Sequence, residues 1–405
     1  MYSSGRPVER DVLRVRVGPE GGEFVGSTHF ALQAAVDYVG GRGGGVVEVA
    51  AGTYTLRDAV HLRSGVRIVG QGPTTVLRKA ASVTTRLTED MDWYDGHITV
   101  DDPSGFDVGV GVALQAKHAH GQGRSVMKFT VAAVDGRRIR LTRTPHNQAR
   151  HNFWTTHEPT ASTLHPLLTA NWERDIAIED LTLDGNRAEN ALLDGNYAGC
   201  VFLQDCQRVR VAGVRGVNNN GDGISWQVCD DVTVEDCVSE GHANLGLHPG
   251  SGSQRPVMRR NTVRDCNIGL FWCWGVRYGV AEENDIARIG SHGMSIGHRD
   301  TDNVMRRNTI RDCGKTGIYF RPEDPPARGP HRNVVEENVI SGAPIGVNVD
   351  SRVRGVAVVR NRFEGVDGRM ECGIRIRGDV SEITCDENAF DGVKTHIRDE
   401  RVVAV

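Results

Sequence analysis

Between residues 200 and 377 one pattern of positions returns eight times: a polar or small residue, then an apolar, a variable and an apolar position, closed by one more residue. It reads CVFLQ, GISWQ, NLGLH, GLFWC, GMSIG, GIYFR, GVNVD and GIRIR, starting at residues 200, 223, 244, 269, 293, 317, 346 and 373. The alternation predicts short strands that turn their apolar positions into a core. Intervals of 21 to 29 residues are too short for strand–helix–strand crossovers and match the coils of a solenoid. A second pattern is interleaved: MRRNTVRDC, AEENDIARI, MRRNTIRDC, VEENVISG, VVRNRFEG and CDENAF, with asparagines at 261, 284, 308, 338, 361 and 388. Asparagine accepts left-handed turns and bonds to backbone, so stacked copies predict an amide ladder. The fold class that follows is all-β, a parallel β-helix whose coils stack as one body.

Upstream, STHFALQAAVDYVGGRGGG places Phe30, Leu32, Ala35 and Val36 at helical spacing after a Ser27 or Thr28 cap, predicting a short helix that plugs the end of the solenoid. GGVVEVAAGTYTL and SGVRIVGQG read as strands, which puts the first coils near residues 45–80. Residues 81–170 break the rhythm. They show alternation around a turn at Asp135-Gly136, then a stretch rich in histidine and threonine, and are expected to lean against the stack and wall one side of a cleft. DIAIEDLTLDG restores the coils at 175–185, and RVVAV is expected to close the other end or pair with a neighbouring copy, leaving a homo-oligomer open. The whole of 1–405 is read as a single β-helix domain. The order of helix, VVEVAAGTY and GVRIVGQG resembles the pectate-lyase-like superfamily, which implies a right-handed parallel β-helix.

Composition narrows the partners. With 25% charged residues and a net charge of −4, the chain has no basic excess for a nucleic-acid backbone. Only 6% of residues are aromatic while 49 are glycine, which suits short strands and tight turns. Apolar runs fall short of a bilayer span, and MYSSGRPVERDVLRVRV lacks the apolar stretch of a signal peptide, so a cytoplasmic protein without membrane contact is expected. The nine cysteines follow no zinc or CxxC spacing and read as buried fillers. No Walker loop, GxSxG elbow or HExxH helix occurs, so neither cofactor nor metal is expected.

The alternation assigns two outward columns. One reads Phe202, Ser225, Gly246, Phe271, Ser295, Tyr319, Asn348 and Arg375; the other reads Gln204, Gln227, His248, Cys273, Gly297, Arg321, Asp350 and Arg377. Aromatics, arginines, a histidine and carboxylates within a few coils are what an oligosaccharide or polysaccharide site needs. Glycosidic cleavage or transfer asks for two carboxyl groups; Asp300 and Glu323 are the preferred pair, with His298 beside them and Asp222 or Asp350 as substitutes. Arg299 and Arg321 are expected to hold a carboxylate or vicinal hydroxyls, Tyr319 to contact sugar, and Trp274 to form a platform, whereas Trp226 and Trp272 point inward. The same residues permit β-elimination from a uronic acid, with Arg321 or His298 as base. A noncatalytic carbohydrate-binding β-helix is the third reading. NGDGI, SHGMSIG and RIR resemble motifs of polygalacturonase-type glycoside hydrolases. That resemblance implies Asp222 as a catalytic aspartate, His292 as the motif histidine and Arg375 as a substrate arginine, with Arg377 in place of lysine. The family's double-aspartate strand is absent, and His248 in NLGLHPG stands where it would be.

Overall fold

The computed structural model describes residues 12–117, 124–142, 151–193, 197–350 and 352–401. The repeated strands stack into three long parallel sheets of 12, 11 and 11 strands, each coil adding one strand to each sheet. One coil shows the scheme: Asp285–Ile289, His292–Ile296 and Val304–Arg306 belong to three different sheets. Like residues stack along the core. Met258, Ala281, Met305, Val335 and Val358 form one file, paired coil to coil and fully buried. This architecture is the right-handed parallel β-helix expected from the sequence.

From the third repeat onward the residue that opens the coil is a glycine at a corner where nothing larger fits. A Cβ on Gly246, Gly269, Gly293, Gly317, Gly346 or Gly373 would lie 2.3–2.6 Å from the side chain of Val263, Ile286, Ile310, Ile340, Phe363 or Phe390 respectively. In the third repeat the corner is therefore Gly246, two residues beyond the Asn244 at which the sequence pattern began. The predicted asparagine ladder is present. Asn261, Asn284, Asn308 and Asn338 each donate Nδ2 to the Oδ1 of the next asparagine at 2.9 Å, and Asn361 donates to Asn388 at 3.1 Å. Coil length between these residues is 23, 24, 30, 23 and 27 residues, yet every link is made. On the outside, arginines in left-handed turns, such as Arg208, Arg260 and Arg288, each bond an aspartate of the preceding coil. Such exposed pairs contribute little individually.

The capping helix is His29–Gly41. Its buried face is His29, Leu32, Ala35, Val36 and Val39, so Phe30 is corrected to an exposed position, and its N-cap Thr28 makes no side-chain bond. His29 stands on the inner face because it lies three and seven residues before Leu32 and Val36, and its Nε2 is 3.1 Å from the Gly109 carbonyl oxygen. Six strands, Thr84–Arg86, His97–Thr99, Gly111–Lys117, Arg124–Asp135, Arg138–Leu141 and Thr160–Ser162, form an antiparallel sheet with a core of its own, including Ile98, Val112, Leu114, Phe129 and Phe153. The expected turn at Asp135-Gly136 joins two of its strands, with Gly136 at φ 55°. All nine cysteines are free and eight are buried, as fillers should be. Most of RVVAV lies outside the described residues.

Candidate active site

The sheet carrying the repeats presents one outward file in strict register: Thr169, Phe202, Ser225, His248, Phe271, Ser295, Tyr319, Asn348 and Arg375. Because Gly246 makes the corner of its coil, His248 stands in this file rather than in the second one. Gly250 takes the second-file position, packed on Gln227. The correction matters chemically, since it sets His248 next to Phe271.

Asp222 and His248, separated by one coil, form a buried dyad. Nδ1 of His248 donates to Oδ2 of Asp222 at 2.7 Å, and the side chains are only 2% and 1% exposed. Oδ1 of Asp222 accepts the Leu245 backbone N–H at 3.1 Å. Burial alone would lower the His248 pKa, but the bond to Asp222 and the Cys273 side chain outweigh it and push it up to about 10. The ring is an imidazolium at neutral pH. Its Nε2 is buried and has no hydrogen-bond partner among the described residues.

Phe271 lies between two cations. The His248 ring meets it edge-on at 5.5 Å, and the Arg321 guanidinium carbon stands 4.3 Å from its centroid. Arg321 donates to Ser295 Oγ at 2.9 Å and to the Trp272 carbonyl at 2.8 Å. Gly297 clears its path, since a Cβ there would lie 2.5 Å from the guanidinium. Farther along, His292 stacks on Tyr319 with centroids 4.6 Å apart. Burial, then Lys315 and Arg321, hold the His292 pKa down to about 4, so this ring is neutral. Burial and the nearby Asp350 raise the Tyr319 pKa. Among the described residues eight buried side-chain atoms lack a partner, and three are on this face: His248 Nε2, His292 Nδ1 and Asn348 Oδ1. Buried polar atoms left open in this way are what a bound ligand would satisfy.

The preferred carboxylate pair is not assembled. Asp300 is completely buried; its carboxylate accepts the backbone N–H groups of Gly275, Val276 and Gly297 at 2.8–2.9 Å and lies 3.5 Å from Arg321. Burial pushes its pKa up, yet each of these contacts is a donor, so a proton placed on it would find no acceptor among them. Asp300 is corrected from a member of the catalytic carboxyl pair to the brace of this turn. Glu323 instead meets His298, whose Nδ1 is 3.2 Å from its Oε2, and His298 stacks on Trp274, 58% exposed. These three residues form one cluster beside the file. Arg299 is exposed on the same turn. Asp350 is bound by Arg377, and Arg375 by Glu400, so neither arginine stands free as a substrate ligand. Among the described residues no three histidine, cysteine, aspartate or glutamate side chains converge as metal ligands.

The columns read from sequence contained Phe271, Ser295 and Asn348 without giving them a role; alternation alone marks them as outward. Lys128 was missed altogether. Its signal is a lone lysine within the apolar stretch SVMKFTV.

Residues 199–390 match a family model described as a right handed beta helix region. No curated protein matches the chain in sequence. Among solved structures it is similar to the A-module of mannuronan C-5 epimerase AlgE6 from Azotobacter vinelandii, with a TM-score of 0.59 and 15% identity over 93% of this chain and 96% of that one. ORF18 of Geobacillus virus E2 is similar with a TM-score of 0.52 and 10% identity, over 92% of this chain and 58% of that one. At these identities the likeness is one of fold.

Proposed function

The chain is a right-handed parallel β-helix protein, and on that scaffold we propose a carbohydrate-active enzyme that moves a proton at C5 of a uronic-acid glycan. The observation that carries this reading is the pair of cations flanking Phe271. An imidazolium and a guanidinium on either side of an aromatic floor suit a sugar bearing a carboxylate, and they strengthen as charge develops on that carboxylate during loss of the C5 proton. The similar A-module is itself named an epimerase acting at C-5 of mannuronan.

Two histidines with opposite pKa shifts supply the acid and the base. His292, kept neutral, accepts the C5 proton; His248, kept protonated by Asp222, donates through Nε2. In β-elimination the electrons of the C5–H bond form the C4–C5 double bond, the C4–oxygen bond breaks, and the departing oxygen takes the His248 proton. If the oxygen stays and a proton returns to the other face of C5, the outcome is epimerisation. An anionic substrate beside His292 would raise its basicity. Hydrolysis through opposed carboxylates is less well supported, because Asp300 is enclosed and Asp222, Asp350 and Glu323 each hold a basic partner.

The test is a panel of uronic-acid and neutral glycans incubated in D2O with wild type, H248Q, H292Q and E323Q. Absorbance near 235 nm reports elimination, deuterium at C5 reports exchange, and mass reports added water. Unsaturated or deuterated products that vanish in H248Q and H292Q support the proposal. Products with added water that depend on Glu323 and not on His248 would replace it with a hydrolase.

A further inference from the structure

Where the antiparallel sheet meets the first coils, the two enclose a cavity of about 190 Å³ bordered by Asp58, His61, Lys128, His165, Thr169 and Gln204. The Lys128 ammonium stands 3.7 Å over the Phe202 ring and makes no ion pair or hydrogen bond among the described residues. An enclosed cation without a counter-charge is costly, and burial accordingly pushes the Lys128 pKa down to about 7. Its neighbours do not neutralise it. Burial holds His61 down to about 4 and His165 down to about 3, and it pushes Asp58 up to about 7, where Thr130 and Ala59 also bond it. The other charged lining residues are occupied: Glu173 accepts from Ser64, and Arg63 pairs with Asp37.

We propose that this cavity is a subsite for the terminal residue of an acidic glycan, with Lys128 holding the sugar carboxylate above Phe202. At about 190 Å³ the cavity is smaller than the ~300–1,000 Å³ of pockets for larger ligands and suits a single ring. One ammonium without an ion-pair partner among the described residues matches a monoanion better than a phosphate dianion. The amides of Asn171 and Gln204, paired on adjacent coils, also line the cavity and suit hydroxyl groups. Phe202 belongs to the same outward file as His248 and Phe271, three rungs from the latter, or about 14 Å at ~4.8 Å per rung. Phe202 thereby ties the cavity to the file that carries His248. The identity of the ligand as a uronic acid rests on the function proposed above.

Calorimetric titration of the whole protein with glucuronate, galacturonate and mannuronate, each beside glucose, galactose or mannose, tests the subsite directly. At least one uronate is expected to bind tenfold or more tightly than its neutral counterpart, and K128M to lose at least tenfold of that affinity. Equal binding of acid and neutral sugars, no uronate binding, or unchanged affinity in K128M overturns the subsite. Should K128M melt early, K128Q and the wild-type ratio of acid to neutral sugar decide. Uronate binding through Lys128 without turnover of any uronic-acid glycan would sink the catalytic reading and leave the subsite standing. Turnover without monosaccharide binding would do the reverse.

Discussion

Replacing Asp300 by asparagine puts an NH2 group where the surroundings only donate. Oδ1 accepts the amides of Gly275 and Val276 at 2.9 Å each, and Oδ2 accepts that of Gly297 at 2.8 Å. Whichever way the new amide is turned, at least one N–H faces another. The better orientation sacrifices the Gly297 bond, a hydrogen bond to a charged group worth about 1.5–3 kcal/mol. Arg321 loses its counter-charge as well. Removing one partner of a buried pair costs about 3–5 kcal/mol, and the lower part of that range applies because Ser295, the Trp272 carbonyl and the Phe271 face still hold the guanidinium. These losses overlap, so the expected destabilisation is about 4 kcal/mol in total. Urea unfolding followed by circular dichroism measures it, and amide exchange at Gly275, Val276 and Gly297 localises it. A D300N protein that unfolds with the wild type, within ~0.5 kcal/mol, while its turnover collapses would show that Asp300 acts on substrate and refute the bracing role.

Loss of the dyad in H248Q or D222N should lower turnover by about 10²–10⁴-fold, the range for a general acid, in a protein that still folds. The His248 pKa is raised from 6.5 to about 10, so its stabilising contribution is complete below pH 6.5 and disappears as pH rises through 10. Melting temperatures should fall across that interval in the wild type and change less in D222N. N308A removes an acceptor of the Asn284 N–H and Nδ2 and a donor to Ala281 and Asn338. At ~1 kcal/mol per bond about 4 kcal/mol should be lost in urea unfolding, and a loss under ~1 kcal/mol would mean the ladder is dispensable. G293A drives a methyl group to 2.4 Å from Ile310 and 2.6 Å from the Gly317 carbonyl, and should cost about 1–3 kcal/mol by the same assay.

The coils were legible because a solenoid writes each structural requirement many times. The corner glycine, the inward apolar pair and the turn asparagine recur, so coincidence is averaged away. The register of one coil was not legible. NLGLH satisfies the pattern of small and apolar positions two residues early, and only the collision that any Cβ at Gly246 would make with Val263 fixes the true corner. That slip concealed the contact between His248 and Phe271. Asp222 and His248 were both named from the sequence, but a hydrogen bond across a coil leaves no mark in the string of letters. Asp300 misled for the opposite reason: HRDTDN looks like an exposed charged turn, whereas the backbone folds its N–H groups inward around that one carboxylate. Lys128 belongs to a segment with a different periodicity, and its value comes from Phe202, which lies 74 residues farther along the chain.

The asparagine ladder passes unchanged through coils of 23 and of 30 residues. The longest of these coils spends its surplus in the Pro322–Pro330 stretch, which begins beside Glu323, while the strands on either side keep their partners. Inheritance can therefore edit the loops beside the file by insertion or deletion without renegotiating the frame. For such a scaffold, a change of substrate across descendants should appear first as a change in loop length, and protein engineers can graft recognition segments at the same places.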